Sequence, residues 1–168
     1  MVPPRVDQDG AIRLELFVRS LAPAAVRPAQ ESVVRRLQRL EEAPRVATVD
    51  VHVAGDRICR GAATVRTRPG RFLLDRVDAF EVWADRTDRS IDETFEHVAD
   101  ARGIDGADCS GIRFPAMVLA EYVGDELRFV APSASAGETT SVPDRLAHLE
   151  REYGTVTGDA SGREPQRG

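Results

Sequence analysis

Two thiols are the first residues in this chain that could do chemistry. Cys59 and Cys109 are its only cysteines, 50 positions apart. Dithiol exchange needs a CxxC pair, and a structural zinc site needs four Cys or His ligands in close pairs; neither spacing is present. What remains is a regulatory disulfide, a thiol-dependent sensor or enzyme using Cys59 or Cys109 with a depressed pKa, or two unrelated, partly buried thiols. Asp50-Val-His52 sets a carboxylate and an imidazole on one face of a strand, as a metal or acid–base pair would require. The other histidines, His97 and His148, fall on other elements, so no third ligand is evident and an outward polar face explains the pair more simply. Every one of the 23 basic residues is Arg. Arg35, Arg36 and Arg39 cluster in one segment, and Arg57, Arg60, Arg66, Arg68 and Arg71 crowd the middle of the chain. Such groups can meet phosphates, but the interleaved Glu31, Glu41, Glu42, Asp56 and Asp75 favour a paired, solvated surface. No catalytic residue, metal or cofactor is expected.

Composition limits the classes. The chain has 168 residues, 42% apolar and 30% charged, which suits one globular core. A single domain over residues 11–153 is expected, with a flexible arm at 1–10 and a disordered tail at 154–168. No apolar run approaches the roughly 20 residues that cross a bilayer, and the first residues lack a secretion signal. A cytoplasmic protein without membrane contact is the expectation. A net charge of −5 does not attract nucleic acid over long distance, so nucleic acid is an allowed but not favoured partner. The absence of Lys and Asn fits a GC-rich genome, and the acidic excess fits a salt-rich cytoplasm.

The elements that must position these residues follow from periodicity. Ile12, Leu14, Leu16 and Val18 alternate as a strand, and Val33, Val34, Leu37 and Leu40 form the apolar stripe of a helix over Gln30–Ala43. Val49, Val51 and Val53 alternate in a second strand over Val46–Val53, with Ile58-Cys59 as its continuation or a short extra strand. Thr67 caps a helix with an early Pro69, and Leu73, Val77, Phe80 and Ala84 line it. Ser90-Ile-Asp-Glu93 reads as a capping box opening a further helix through Ala101, followed by a loop to Gly111. Pro115–Tyr122 and Glu126–Val130 read as two strands joined in a hairpin through Gly124-Asp125. A polar loop over Pro132–Thr140 leads to a last helix capped by Ser141, with Leu146, Leu149 and Tyr153 buried.

Strand–helix–strand order favours parallel strands, while the hairpin is antiparallel, so a four-stranded mixed sheet with helices on both faces is expected. Together with Pro115 at a strand entry, where a cis-proline would stand, residues 11–153 resemble the thioredoxin-like fold, an α/β three-layer sandwich. The resemblance implies a binding edge built from Ser20, Arg27, Cys59, Cys109, Ser110 and Pro115. Without a CxxC where Arg19–Arg27 enters the first helix, it implies a non-redox module for a protein partner or small ligand. In that sheet Cys59 and Cys109 would stand about 10 Å apart on strands flanking the first, too far to bridge, so separate thiols are preferred.

Val18-Arg-Ser-Leu-Ala-Pro23, Phe80-Glu-Val-Trp-Ala84, Leu119-Ala-Glu-Tyr122 and Val130-Ala-Pro132 resemble a family of short haloarchaeal proteins, some labelled helix-turn-helix. That label implies the alternative function, a DNA-binding transcriptional regulator. Its tandem helices would be Phe72–Arg86 and Asp92–Ala101, the second of which is acidic and poor material for a DNA groove.

Overall fold

The computed structural model describes residues 10–20, 22–61, 66–102 and 108–154. The main sheet is four-stranded and mixed. Its strands are β1 (Ile12–Arg19), β2 (Val46–Ala54), β6 (Met117–Val123) and β7 (Glu126–Ala131), in the order β2-β1-β6-β7. β1 runs parallel to β2 and antiparallel to β6, with Leu16 opposite Val51 on one side and Leu119 on the other. The mixed α/β architecture and this four-stranded sheet are those expected from the sequence. The hairpin turns where it was placed, with Gly124 at φ 59°, a left-handed angle that costs a residue without Cβ little.

Both faces of β1 are covered, which is why its alternation is only partial. Leu14 and Leu16 point to one face, where helices α1 (Arg27–Leu40) and α3 (Val142–Tyr153) bring Val33, Leu37, Leu146 and Leu149. Phe17 points to the other, where helix α2 (Arg68–Thr87) brings Leu73, Val77, Phe80 and Trp83. The two capped helices start as their sequences dictate. The Thr67 side chain accepts a bond from the Gly70 amide, and Ser141 and Asp144 form a reciprocal capping box. Among the described residues no helix is long and apolar enough to cross a membrane.

Four expectations fail in the connections. Ser90–Ala101 is not a helix: Ser90 bridges to Ala134, a single turn follows, and β4 (Glu96–Arg102) begins. The helix would have been short and rich in weak formers, whereas β4 finds a ready partner in β5 (Asp108–Arg113). Residues 108–110 are therefore strand, not loop. β3 (Arg57–Cys59) joins the other edge of β5, making a second sheet of order β3-β5-β4. The expected polar loop is partly a small hairpin of β8 (Ser133–Ser135) and β9 (Glu138–Thr140), turning through Ala136 and Gly137 at positive φ. The one cis peptide bond among the described residues is Ala131–Pro132, so the Phe114–Pro115 bond does not supply the cis-proline that the thioredoxin-like resemblance implied.

Each covered face of the main sheet also holds one buried carboxylate. Glu15 is 2% exposed, and Arg76 of α2 clamps it with two 2.8 Å bonds while Arg13 takes one of the same oxygens. On the opposite face Glu121 accepts from Arg145 of α3, whose guanidinium lies 4.1 Å from the centre of the Phe129 ring. Burial alone would raise the Glu15 pKa, but the hydrogen bonds and charge of Arg76, helped by Arg13, hold it below its ordinary 4.5. The folded state therefore resists protonating Glu15 more than the unfolded chain does. The pair's contribution is complete above the unfolded value and is lost as pH falls through the folded one. Replacing Glu15→Gln is expected to cost about 3 kcal/mol in urea unfolding at neutral pH, the low end for a buried pair because Arg76 stays 27% exposed. The variant should also lose part of the wild-type stability change in the acid range; an unchanged midpoint and acid profile would contradict this role.

Candidate functional site

The expected binding edge lies at the C-terminal end of β1, and the structure closes much of it. The Arg19 amide donates to the Ala116 carbonyl at 3.0 Å, and its guanidinium donates to the Phe114 carbonyl at 3.1 Å while pairing with Asp56 at 3.5 Å. Gln30, 8% exposed in the first turn of α1, donates to the carbonyls of Ala116 and Arg19. The Phe114 amide donates to the Asp56 carbonyl. Ser20, whose amide bonds Ala54, is exposed at this end, as is Arg27 at the head of α1; Pro115 is half-buried beside them. Arg19, Gln30 and Asp56 do the joining, and none was singled out from sequence. The signal was too weak: a single Gln on a helix and an Arg at a strand end have many commoner uses.

Cys59 does not belong to that edge. It is buried on β3, paired opposite Gly111 of β5, and is disulfide-bonded; Cys109, the only other cysteine, lies two residues from Gly111 in the same strand. Separate thiols were preferred because both segments were taken to flank β1. They instead leave the main sheet and pair with each other, which removes the distance argument. Ser110 is exposed on β5, its carbonyl accepting from the Arg60 amide. The six proposed residues are thus divided between the end of β1 and the small sheet.

His52 is also reassigned. Its ring stacks on Phe17 at 5.1 Å and meets Phe72 at 4.8 Å, so it is half-buried under α2 and not turned outward with Asp50. Among the described residues no group of three His, Cys, Asp or Glu could hold a metal ion. The buried polar cluster on that face offers no acid or base near neutrality either. Glu15 is held ionised by its arginines. The Tyr122 hydroxyl beside it lacks a well-formed hydrogen bond, and its pKa is pushed up to about 12, first by burial and then by the Glu15 charge.

Among the described residues, two hollows lie away from the expected edge. One of about 360 Å³ runs between α2 and the hairpin, lined by Val82, Trp83 and Leu127 with Asp78 and Glu126 at its rim. The other, of about 370 Å³, is more polar and sits between the end of α2 and β4. Neither includes any residue of the expected edge.

The helices differ in what they show to solvent. On α2, Asp75, Asp78, Glu81 and Asp85 balance its arginines, and Asp78 and Glu81 engage Arg60. α3 carries Asp144, Glu150 and Glu152. Of the three helices α1, α2 and α3, only α1 is net positive, with Arg27, Arg35, Arg36 and Arg39 against Glu31. Arg36 bonds Glu150 at 2.8 Å through two nitrogens, raising its own pKa by that hydrogen bond and lowering that of Glu150. Arg27, Arg35 and Arg39 are exposed and take part in none of the described salt bridges, although Arg39 adds a weaker pull on Glu150. Strands separate α1, α2 and α3 along the chain, so no two of these three helices are joined by a turn of three or four residues.

A family model described as a helix-turn-helix domain matches residues 6–154. No curated protein and no solved structure matches the chain.

With Cys59 disulfide-bonded, iodoacetamide is expected to leave it unlabelled in the native protein and to label it after reduction, read by peptide mass spectrometry. Native labelling without reductant would revive the thiol-dependent reading.

Proposed function

The chain belongs to the helix-turn-helix domain family, and on that premise we propose that it is a DNA-binding regulator whose contact with duplex DNA is made by the outward face of α1. The observation that carries this reading is the arginine row of that helix. Arg27, Arg35 and Arg39 recur at multiples of four residues, so they fall along one side, about 18 Å from end to end, with one carboxylate, Glu31, at the intervening position between Arg27 and Arg35. The opposite side of α1 is buried on the main sheet through Val33, Leu37 and Leu40, which holds the row rigid and turned to solvent. Guanidinium groups presented in this way suit phosphate oxygens, the contacts that position a protein on a duplex.

The tandem helices anticipated from sequence do not support the reading, because the second of them is β4. The face of α2 is no substitute, since its carboxylates would meet phosphates with like charge. A protein or small ligand at the β1 end remains a weaker alternative, with Arg19 and Gln30 already bonded across that edge.

Fluorescence anisotropy with a labelled duplex, titrated with salt, tests the proposal. Binding is expected at low salt, with affinity falling linearly on a log–log plot. Replacing Arg27, Arg35 and Arg39 by Ala should flatten that slope by about 1 for each arginine that meets a phosphate. Absence of binding at low salt, or a triple variant with an unaltered slope, would sink it.

A further inference from the structure

β2 is the outermost strand of the main sheet, and its far side is unpaired among the described residues. Two hydrogen bonds fix which residues turn that way. The Ala54 carbonyl accepts from Ser20 at the end of β1, so Ala54, His52 and Asp50 direct their backbone groups inward. The Val49 amide donates instead to the Glu41 carboxylate at 3.2 Å, on the outer side. Val49, Val51 and Val53 therefore present the free edge. Their side chains lie on the face of β1 that carries Leu16 and Val18, yet Val51 is 45% and Val53 70% exposed. Edge strands are usually blunted by proline, lysine or a covering element, and along this one the described safeguard is Glu41.

We propose that β2 is the seam at which a second copy of this chain pairs, antiparallel, about a two-fold axis at Val51. Self-complementarity favours this partner, and the Val51 register is the one that both pairs unlike groups and aligns all three outward valines of each copy, whereas an axis at Val49 sets Val51 against Ala47 and Val53 against Arg45. With the axis at Val51, Asp50 stands opposite the partner's His52, Val51 opposite its own counterpart, and Val49 opposite the partner's Val53. Moving the axis to residue 50 sets Asp50 against Asp50, and moving it to 52 sets His52 against His52. At 53 it opposes Asp50 to Asp56, again like against like. The Val51 register also brings six valines into one stripe across the seam, covering part of the exposed pair on each copy. The two four-stranded sheets become one of eight strands, and Glu41 must release the Val49 amide for the outer bonds to form. No residue of the seam belongs to the arginine row of α1, although Glu41 at its margin follows Arg39 by two positions, and pairing is read without DNA so that its failure is distinguishable from failure of DNA binding.

Sedimentation velocity on the full chain across micromolar concentrations, without DNA, reads the association directly. A species of twice the chain mass is expected. Val53→Lys, at a position with room in solvent, should keep the circular dichroism of the wild type and weaken association by roughly tenfold or more. Val51→Cys should form an interchain disulfide under mild oxidation much faster than Val82→Cys, a valine 64% exposed on α2. A monomer at every concentration overturns the proposal, as does a dimer indifferent to Val53→Lys. Equal cross-linking at positions 51 and 82 overturns the register.

Discussion

The arrangement of layers depends on two carboxylates that are buried on opposite faces of one sheet. Glu15 on β1 and Glu121 on β6 each need a cation inside the fold, and each receives it from a different helix, Arg76 of α2 and Arg145 of α3. A buried ion pair adds little net stability over an apolar pair of the same shape, but an unpaired buried carboxylate is costly. The consequence is selectivity. A helix that slid by one turn, or docked on the wrong face, would leave Glu15 or Glu121 without its partner. Apolar stripes alone would tolerate such errors, since Leu, Val and Phe pack against one another in many registers.

The same constraint sorts the arginines by role. Arg13, Arg76 and Arg145 are committed to the interior, where Tyr122, Phe72 and Phe129 stack beneath their guanidinium planes. Arg19 is committed to the end of β1, and Arg36 to the joint between α1 and α3. In a chain whose every cation is Arg, the count of 23 therefore says little about binding. What matters is which arginines are left outside this internal wiring, and α1 is the helix where several remain together.

Sequence periodicity revealed what is locally determined. β1, β2, the hairpin at Gly124-Asp125, and the caps at Thr67 and Ser141 follow from alternation, turn chemistry and side chains within a few residues. α1 was legible but placed about three residues late, since it begins at Arg27 with Pro28 in its first turn, where a missing amide hydrogen costs little. The failures share a nonlocal cause. Ser90–Glu93 has the spacing of a capping box, yet Ser90 is claimed by Ala134, which lies 44 residues away. Ile91 and Phe95 are buried as a helix would bury them, but against Phe80 and Phe114, while the residues after them pair with β5. Cys59 was misjudged for the same reason: nothing within a few residues of it reveals that β3 and β5 form their own sheet.

Net charge and local charge pull in opposite directions here, and distance decides between them. At −5 the whole chain repels a phosphate backbone from afar, but at physiological ionic strength that field decays over about 8 Å. Within that range an approaching surface senses only the nearest few side chains. On α1 these are four arginines against the single carboxylate Glu31, whereas on α2 and α3 carboxylates match or outnumber the arginines. Local charge of this kind lets an acidic protein present one net-positive helix, which is what the proposed reading requires. Under that proposal the surrounding acidity would act as an orientation filter, disfavouring a duplex that approaches along α2 relative to one aligned with α1.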